Sequence, residues 1–202
     1  MKIVLINSPN FMDSNLKKYS IGDESLSNEG ILRAHEIGVE LKKKNLSKLF
    51  TSSFQSALET GLIIKKLIPL ELHSVSDFRG RNDFGVFLGL SHKEAREKFL
   101  DEVEDYESNK PYHNVSGSEN YFDFAKRITD SFNSIIKNEF ENKTNCIGFI
   151  LHACVIEVIF RELIGFEVGE VEECALIEFD FDGEGFELIS SKGVIGIEST
   201  LA

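Results

Sequence analysis

Short apolar runs alternate with helix-period segments along most of this chain, and few architectures accommodate that order. Lys2 to Ile6 is a short, mostly apolar run closed by Asn7-Ser8-Pro9, which reads as a buried strand entering a loop. After a polar, irregular stretch over 10–26, Ser27 is placed to cap a helix carrying Ile31, Ala34, Ile37 and Leu41 at helical spacing. Leu46 to Thr51 reads as the next strand. A second amphipathic helix follows, with Phe54, Ala57, Leu58, Gly61 and Leu62 expected on one face.

Residues 71–90 read as extended and loop-like. Ser91-His92-Lys93-Glu94 has the form of a capping box that opens a short helix to about Phe99. The acidic stretch Asp101 to Glu107 reads as a solvated face or loop. Gly117 to Asn120 starts a long helix expected to turn Phe122, Ala125, Ile128, Phe132 and Ile135 inward. Cys146 to Leu151 is a strongly apolar strand, followed by a helix from about Ala153 to Ile164 that ends at Gly165. Ala175 to Asp182 and Phe186 to Ser190, around Gly183 and Gly185, read as a hairpin.

Strands separated by helices build βαβ units, so the expected fold is α/β: a three-layer sandwich with a mostly parallel sheet flanked by helices. At 202 residues the chain is long enough for one sizeable core and short for two. With no repeats, low-complexity tracts or linkers, 1–202 reads as a single domain.

Charge excludes several partners. The formal net charge is −12, from 34 acidic and 22 basic residues, and such a surface repels nucleic acid and anionic membranes. No run reaches membrane-spanning length, and the opening strand is not a signal peptide. Cys146, Cys154 and Cys174 are odd in number and lack CxxC spacing, so neither a disulfide framework nor a zinc site is expected. They read as small core hydrophobes. The expectation is a reduced, cytoplasmic protein with no cofactor and no metal.

Open α/β sheets place their sites at the carboxyl ends of strands. Here those ends are Asn7-Ser8-Pro9, Thr51-Ser52-Ser53 and His152. Around them, four blocks resemble the histidine phosphatase superfamily, the phosphoglycerate-mutase-like proteins. Leu26 to Ala34 resembles LSxxGxxQA, and Thr51 to Thr60 resembles SSPLxRAxQT. Gly117 to Asp123 with Arg127 resembles GGESxxD…R, and Ile150 to Ile156 resembles VSHGGVI. Each block alone is weak; four in order at the right spacing are specific for the fold.

The resemblance implies a histidine nucleophile after the first strand and an arginine beside it. It also implies a second arginine in the SSPLxRA block, a carboxylic acid, and a later histidine. Arginine forks hold the negative charge of a phosphoryl group in flight while the imidazole attacks in line, and the acid protonates the leaving oxygen. In this chain the first arginine falls on Asn7, the nucleophile on Ser8, and the second arginine on Ser56. Pro9 replaces a glycine and offers no backbone N–H. The acid falls on Arg81, or on Asp83 if the frame shifts by two. Only His152 is retained. Loss of a nucleophile in another enzyme costs about 10⁶-fold in turnover, so the inherited mechanism is not expected to survive.

Each candidate has a bland reading beside its sharp one. Ser8 is either a replacement nucleophile activated by His152 or a filler, and the filler is favoured because no carboxylate partner for His152 is identifiable. His152 either lines a ligand pocket or is a hydrogen-bonded structural residue. Arg81 either restores positive charge to the pocket or, with Arg79, is an exposed loop charge; exposure is favoured. Arg33, Lys17 and Lys18 read as solvated, and His73, His92 and His113 as surface or loop residues.

The leading expectation is a catalytically degenerate family member that binds or regulates, its pocket formed by Asn7, Ser56, Arg81 and His152. The alternatives are a phosphomonoesterase with a rebuilt site using Ser8 or His152, and a protein–protein interaction module. The partners that fit are a small phosphorylated or anionic ligand, or another protein.

Overall fold

The apolar runs near residues 2, 48 and 146 become neighbouring strands, buried on both faces. The structure, a computed structural model, describes residues 1–9, 18–21, 23–108, 112 and 114–199. In chain order its elements are β1 (Lys2–Asn7), α1 (Asn28–Leu41), β2 (Lys48–Ser52), α2 (Gln55–Leu67) and β3 (Glu71–Val75). Then come α3 (His92–Lys98), α4 (Leu100–Ser108), α5 (Tyr121–Glu141), β4 (Cys146–Leu151) and α6 (Ala153–Ile159). Last are β5 (Phe166–Glu167), β6 (Glu170–Phe181), β7 (Phe186–Ile195) and β8 (Glu198–Ser199).

Six strands form one sheet in the order β3-β2-β4-β1-β6-β7. The first four pair in parallel, and the β6–β7 hairpin extends the sheet antiparallel beside β1. The sheet is therefore mixed, with a parallel block at its centre. Within β1, Ile3 and Leu5 pack with α5 and α6, whereas Val4 and Ile6 pack with α1 and α2. Burial on both faces explains why the strand reads as continuous apolar sequence rather than as an alternation. Helices on both faces complete the three layers.

Three helix faces differ in detail from the expected ones. In α1, Ala34, Ile37 and Leu41 are buried, but Ile31 is 45% exposed. In α2 the inward stripe is Ala57, Gly61 and Ile64, and Leu62 is 53% exposed. Gly61 sets that face: a Cβ there would come within 2.8 Å of Thr51 Cγ2, so the helix axis lies close against β2. In α5, Asn120 Oδ1 accepts from Asp123 N at 2.9 Å and starts the helix. The buried stripe then runs through Tyr121, Phe124, Ala125, Ile128, Phe132 and Ile136, leaving Phe122 74% exposed and Ile135 half-buried.

The stretch read as loop holds two further elements. Glu71–Val75 is an edge strand paired with β2. The acidic segment is the helix α4, which keeps its carboxylates outward and buries Val103 and Tyr106 against Tyr19, Phe87, Ala95 and Val115. The Ser91 capping box forms as expected, with Ser91 N donating to Glu94 Oε2 at 2.8 Å. α6 continues through one wide turn, Phe160–Ile164, and stops at Gly165 in the left-handed region. Among the described residues no helix is long and apolar enough to cross a membrane.

Candidate functional site

β1, β4 and β2 lie in the central parallel block, so their carboxyl ends bring Asn7, Ser8, His152 and Ser52 to one edge of the sheet. Ser8 N donates to Leu151 O at 2.8 Å, prolonging the β1–β4 pairing by one residue. The Ser8 side chain is buried, and its Oγ lies 3.4 Å from the carbonyl of Pro9, a long contact. No hydrogen bond joins Ser8 to His152.

The partner of His152 is Ser52. His152 Nε2 lies 2.9 Å from Ser52 Oγ, and the same oxygen accepts from Phe54 N at 3.2 Å. A hydroxyl that accepts from a backbone N–H still has its own proton to give, and Nε2 of a neutral imidazole can take it. Burial pushes the His152 pKa down to about 4, opposed by the negative charge of Asp23. The ring is therefore uncharged near neutrality. Its centroid lies 5.2 Å from that of Phe54. Ser52 is fully buried. The sequence signal for this pair is the triplet Thr51-Ser52-Ser53 at a strand end, which does not by itself say which hydroxyl meets His152.

The positions that the family resemblance gives to arginines hold uncharged, buried side chains. Asn7 Nδ2 donates to the carbonyls of Val171 at 3.3 Å and Glu172 at 2.9 Å. It ties the end of β1 to a bulge in β6, where the register shifts between Val171 and Leu176. Ser56, at the start of α2, is 1% exposed; among the described residues neither its Oγ nor Thr51 Oγ1 has a hydrogen-bond partner.

Arg81 corrects the expectation of an exposed loop charge. It is half-buried, with Nε donating to Glu119 O at 2.8 Å and Nη2 to Asn114 Oδ1 at 3.3 Å. Arg79 is also half-buried and lies 3.8 Å from the Glu119 carboxylate. Asp83 accepts from Tyr106 Oη at 2.8 Å, and burial together with that carboxylate holds the Tyr106 hydroxyl well above its ordinary pKa. Arg81 and Asp83 both line a cavity of about 360 Å³ that also takes in Cys154; neither Ser8 nor His152 lines it.

Arg127 organises the segment that carries Arg81. Its guanidinium grips Glu119 at 2.6 and 2.8 Å and also donates to the carbonyls of Asp77, Arg79 and Gly80. That arginine and Glu119 stood in a recognised block, but its carbonyl targets lie 47 to 50 residues away and left no local trace.

The remaining candidates are dispersed. Arg33 pairs with Glu29 one helical turn before it, at 2.6 Å. Lys18 is exposed. His92 stacks on Tyr19 and His73 on Phe50, so both rings have partners the sequence did not indicate. Lys17 and His113 lie outside the described residues. The three cysteines are free thiols; Cys146 is buried, Cys154 and Cys174 half-buried. Among the described residues no cluster of three His, Cys, Asp or Glu could hold a metal ion.

Chemically, the strand ends hold a neutral imidazole bonded to a buried serine. Among the described residues no lysine or arginine bonds to Ser8, Ser52, Ser56 or His152. Such a site can hold a proton.

The family model described as "Histidine phosphatase superfamily (branch 1)" matches residues 12–192. No curated protein matches the sequence. Among solved structures, the alpha-ribazole phosphatase from Shigella flexneri superposes with a TM-score of 0.79 at 18% identity, covering 98% of this chain and 100% of that one. A phosphoglycerate mutase from Bacillus anthracis gives 0.79 at 15% identity, covering 96% and 92%. A mycobacterial glucosyl-3-phosphoglycerate phosphatase, in complex with inorganic phosphate, gives 0.75 at 15% identity over 94% and 95%. At these identities the likeness is one of fold.

Proposed function

This chain belongs to the histidine phosphatase superfamily, branch 1, and on that premise we propose that it is a catalytically degenerate member, a pseudophosphatase that binds or regulates rather than hydrolyses. One observation carries the reading. The three positions that should supply a nucleophile and two phosphate-holding arginines are Ser8, Asn7 and Ser56, each buried and none charged. Asn7 spends its amide protons on β6, and Ser56 Oγ has no hydrogen-bond partner among the described residues. In-line phosphoryl transfer depends on positioning and charge stabilisation, and these residues provide neither.

A rebuilt phosphomonoesterase is the second reading, and one feature favours it. His152 is kept neutral and lies within nucleophile–base distance of a serine, Ser52. Against it, Ser52 has no exposed surface from which to meet a substrate.

The test is hydrolysis of a broad panel of phosphomonoesters by highly purified protein, with His152→Ala in parallel. The degenerate reading expects no turnover from either. Turnover that the wild type shows and the variant lacks would establish a rebuilt site and overturn it.

A further inference from the structure

The 360 Å³ cavity beyond Cys154 plays no part in the reading above, and its wall chemistry is unusual. Arg81, Asp83, Tyr106, Tyr121, Glu157 and Arg161 line it together with the apolar surfaces of Phe124 and Val158. Two arginines balance two carboxylates, yet the two kinds of charge are not equally available.

Both guanidinium groups are engaged by the protein. Arg81 donates to the Glu119 carbonyl and to Asn114. Arg161 donates to Tyr121 Oη at 3.0 Å and to Glu167 Oε1 at 3.3 Å, and sits over the Tyr121 ring. Glu157 is different. Among the described residues no hydrogen bond or ion pair reaches its carboxylate, although it is half-buried in the cavity wall. Asp83 accepts one bond, from Tyr106, and retains acceptor capacity. A half-buried, unbonded carboxylate is costly unless a cation or donor completes it.

We propose that this cavity binds a small primary amine, its ammonium held by Glu157 and its carbon body laid against Phe124, Val158 and the tyrosine rings. The overall charge of −12 draws cations towards the molecule. Burial pushes the Glu157 carboxyl up from its ordinary range, with Arg161 opposing, the direction expected of a carboxylate whose charge is incompletely met. The proposal is independent of whether the strand-end site hydrolyses phosphomonoesters.

Titration calorimetry with benzylamine, benzyl alcohol, benzoate and inorganic phosphate tests it, on the wild type, Glu157→Gln and Glu157→Asp, each first checked for a native melting transition. Benzylamine is expected to bind with a Kd of about 1 mM or below, a level one buried ion pair and a ring can supply. Benzyl alcohol should bind at least tenfold more weakly. Glu157→Gln should weaken benzylamine at least tenfold, and Glu157→Asp should restore part of that loss. Benzoate or phosphate binding more tightly than benzylamine would overturn the proposal. So would an unchanged benzylamine affinity in Glu157→Gln, or no benzylamine binding up to about 50 mM.

Discussion

His152 and Ser52, one hundred residues apart in the chain, meet at 2.9 Å where β4 and β2 end side by side. Nε2 of the imidazole is thereby bonded within the protein. Its retention at a position matching the family's later histidine is compatible with a structural role.

Ser52→Ala is expected to destabilise the fold by about 1–3 kcal/mol, because it leaves Nε2 of a half-buried imidazole and the N–H of Phe54 without their shared partner. Ser52→Ala and His152→Ala should couple in a double-mutant cycle by about 0.5–3 kcal/mol, read from urea unfolding. Additive effects would show that the bond contributes nothing.

Stability should fall on mild acidification. The folded pKa of His152, about 4, lies below the ordinary 6.5, so between those values the unfolded chain takes up a proton that the folded chain refuses. Stability is then full above about pH 6.5, declines as pH drops towards 4, and loses at most about 3 kcal/mol from this group. Unfolding free energies of wild type and His152→Gln across that window check it. The variant should show a shallower decline, and equal slopes would contradict the assignment.

Arg127→Met should be among the most damaging single changes, at about 3 kcal/mol, since it leaves the half-buried Glu119 carboxylate with the looser charge of Arg79, 3.8 Å away, and releases three carbonyls. Arg127→Lys keeps the charge but not the planar fork, and should recover only part of the loss. Thermal melting of both variants measures this.

Returning an arginine to position 56 should not return activity. Ser56 is 1% exposed, and a guanidinium placed there would be buried without a carboxylate, costing several kcal/mol. Ser56→Arg is expected to melt well below wild type and to show no phosphomonoesterase activity. A variant as stable as wild type would mean that the pocket opens at this point.

Legibility followed the range of the interaction. Cys146–Leu151 was readable to the residue because a strand buried on both faces is apolar throughout. The Ser91 capping box was readable because all its atoms lie within four residues. Helical spacing revealed that α5 was amphipathic, but one residue of rotation separates Phe122 from the true stripe through Tyr121, and spacing alone does not set that angle. α4 was hidden because five carboxylates outnumber the two side chains it buries, Val103 and Tyr106. At the site, the strand-end location of Asn7, Ser8 and His152 was legible from the apolar runs that precede them. Where those side chains turn was not, because the bonds from Asn7 to Glu172 and from His152 to Ser52 close over 165 and 100 residues.

The strut from Asn7 to the β6 bulge gives position 7 a mechanical duty. Replacing Asn7 by arginine would unlatch two strands, so a positive charge at this end of β1 comes at the expense of the sheet's own bracing. A residue at the mouth of a strand can thus be fixed by what it holds together, whatever passes in front of it.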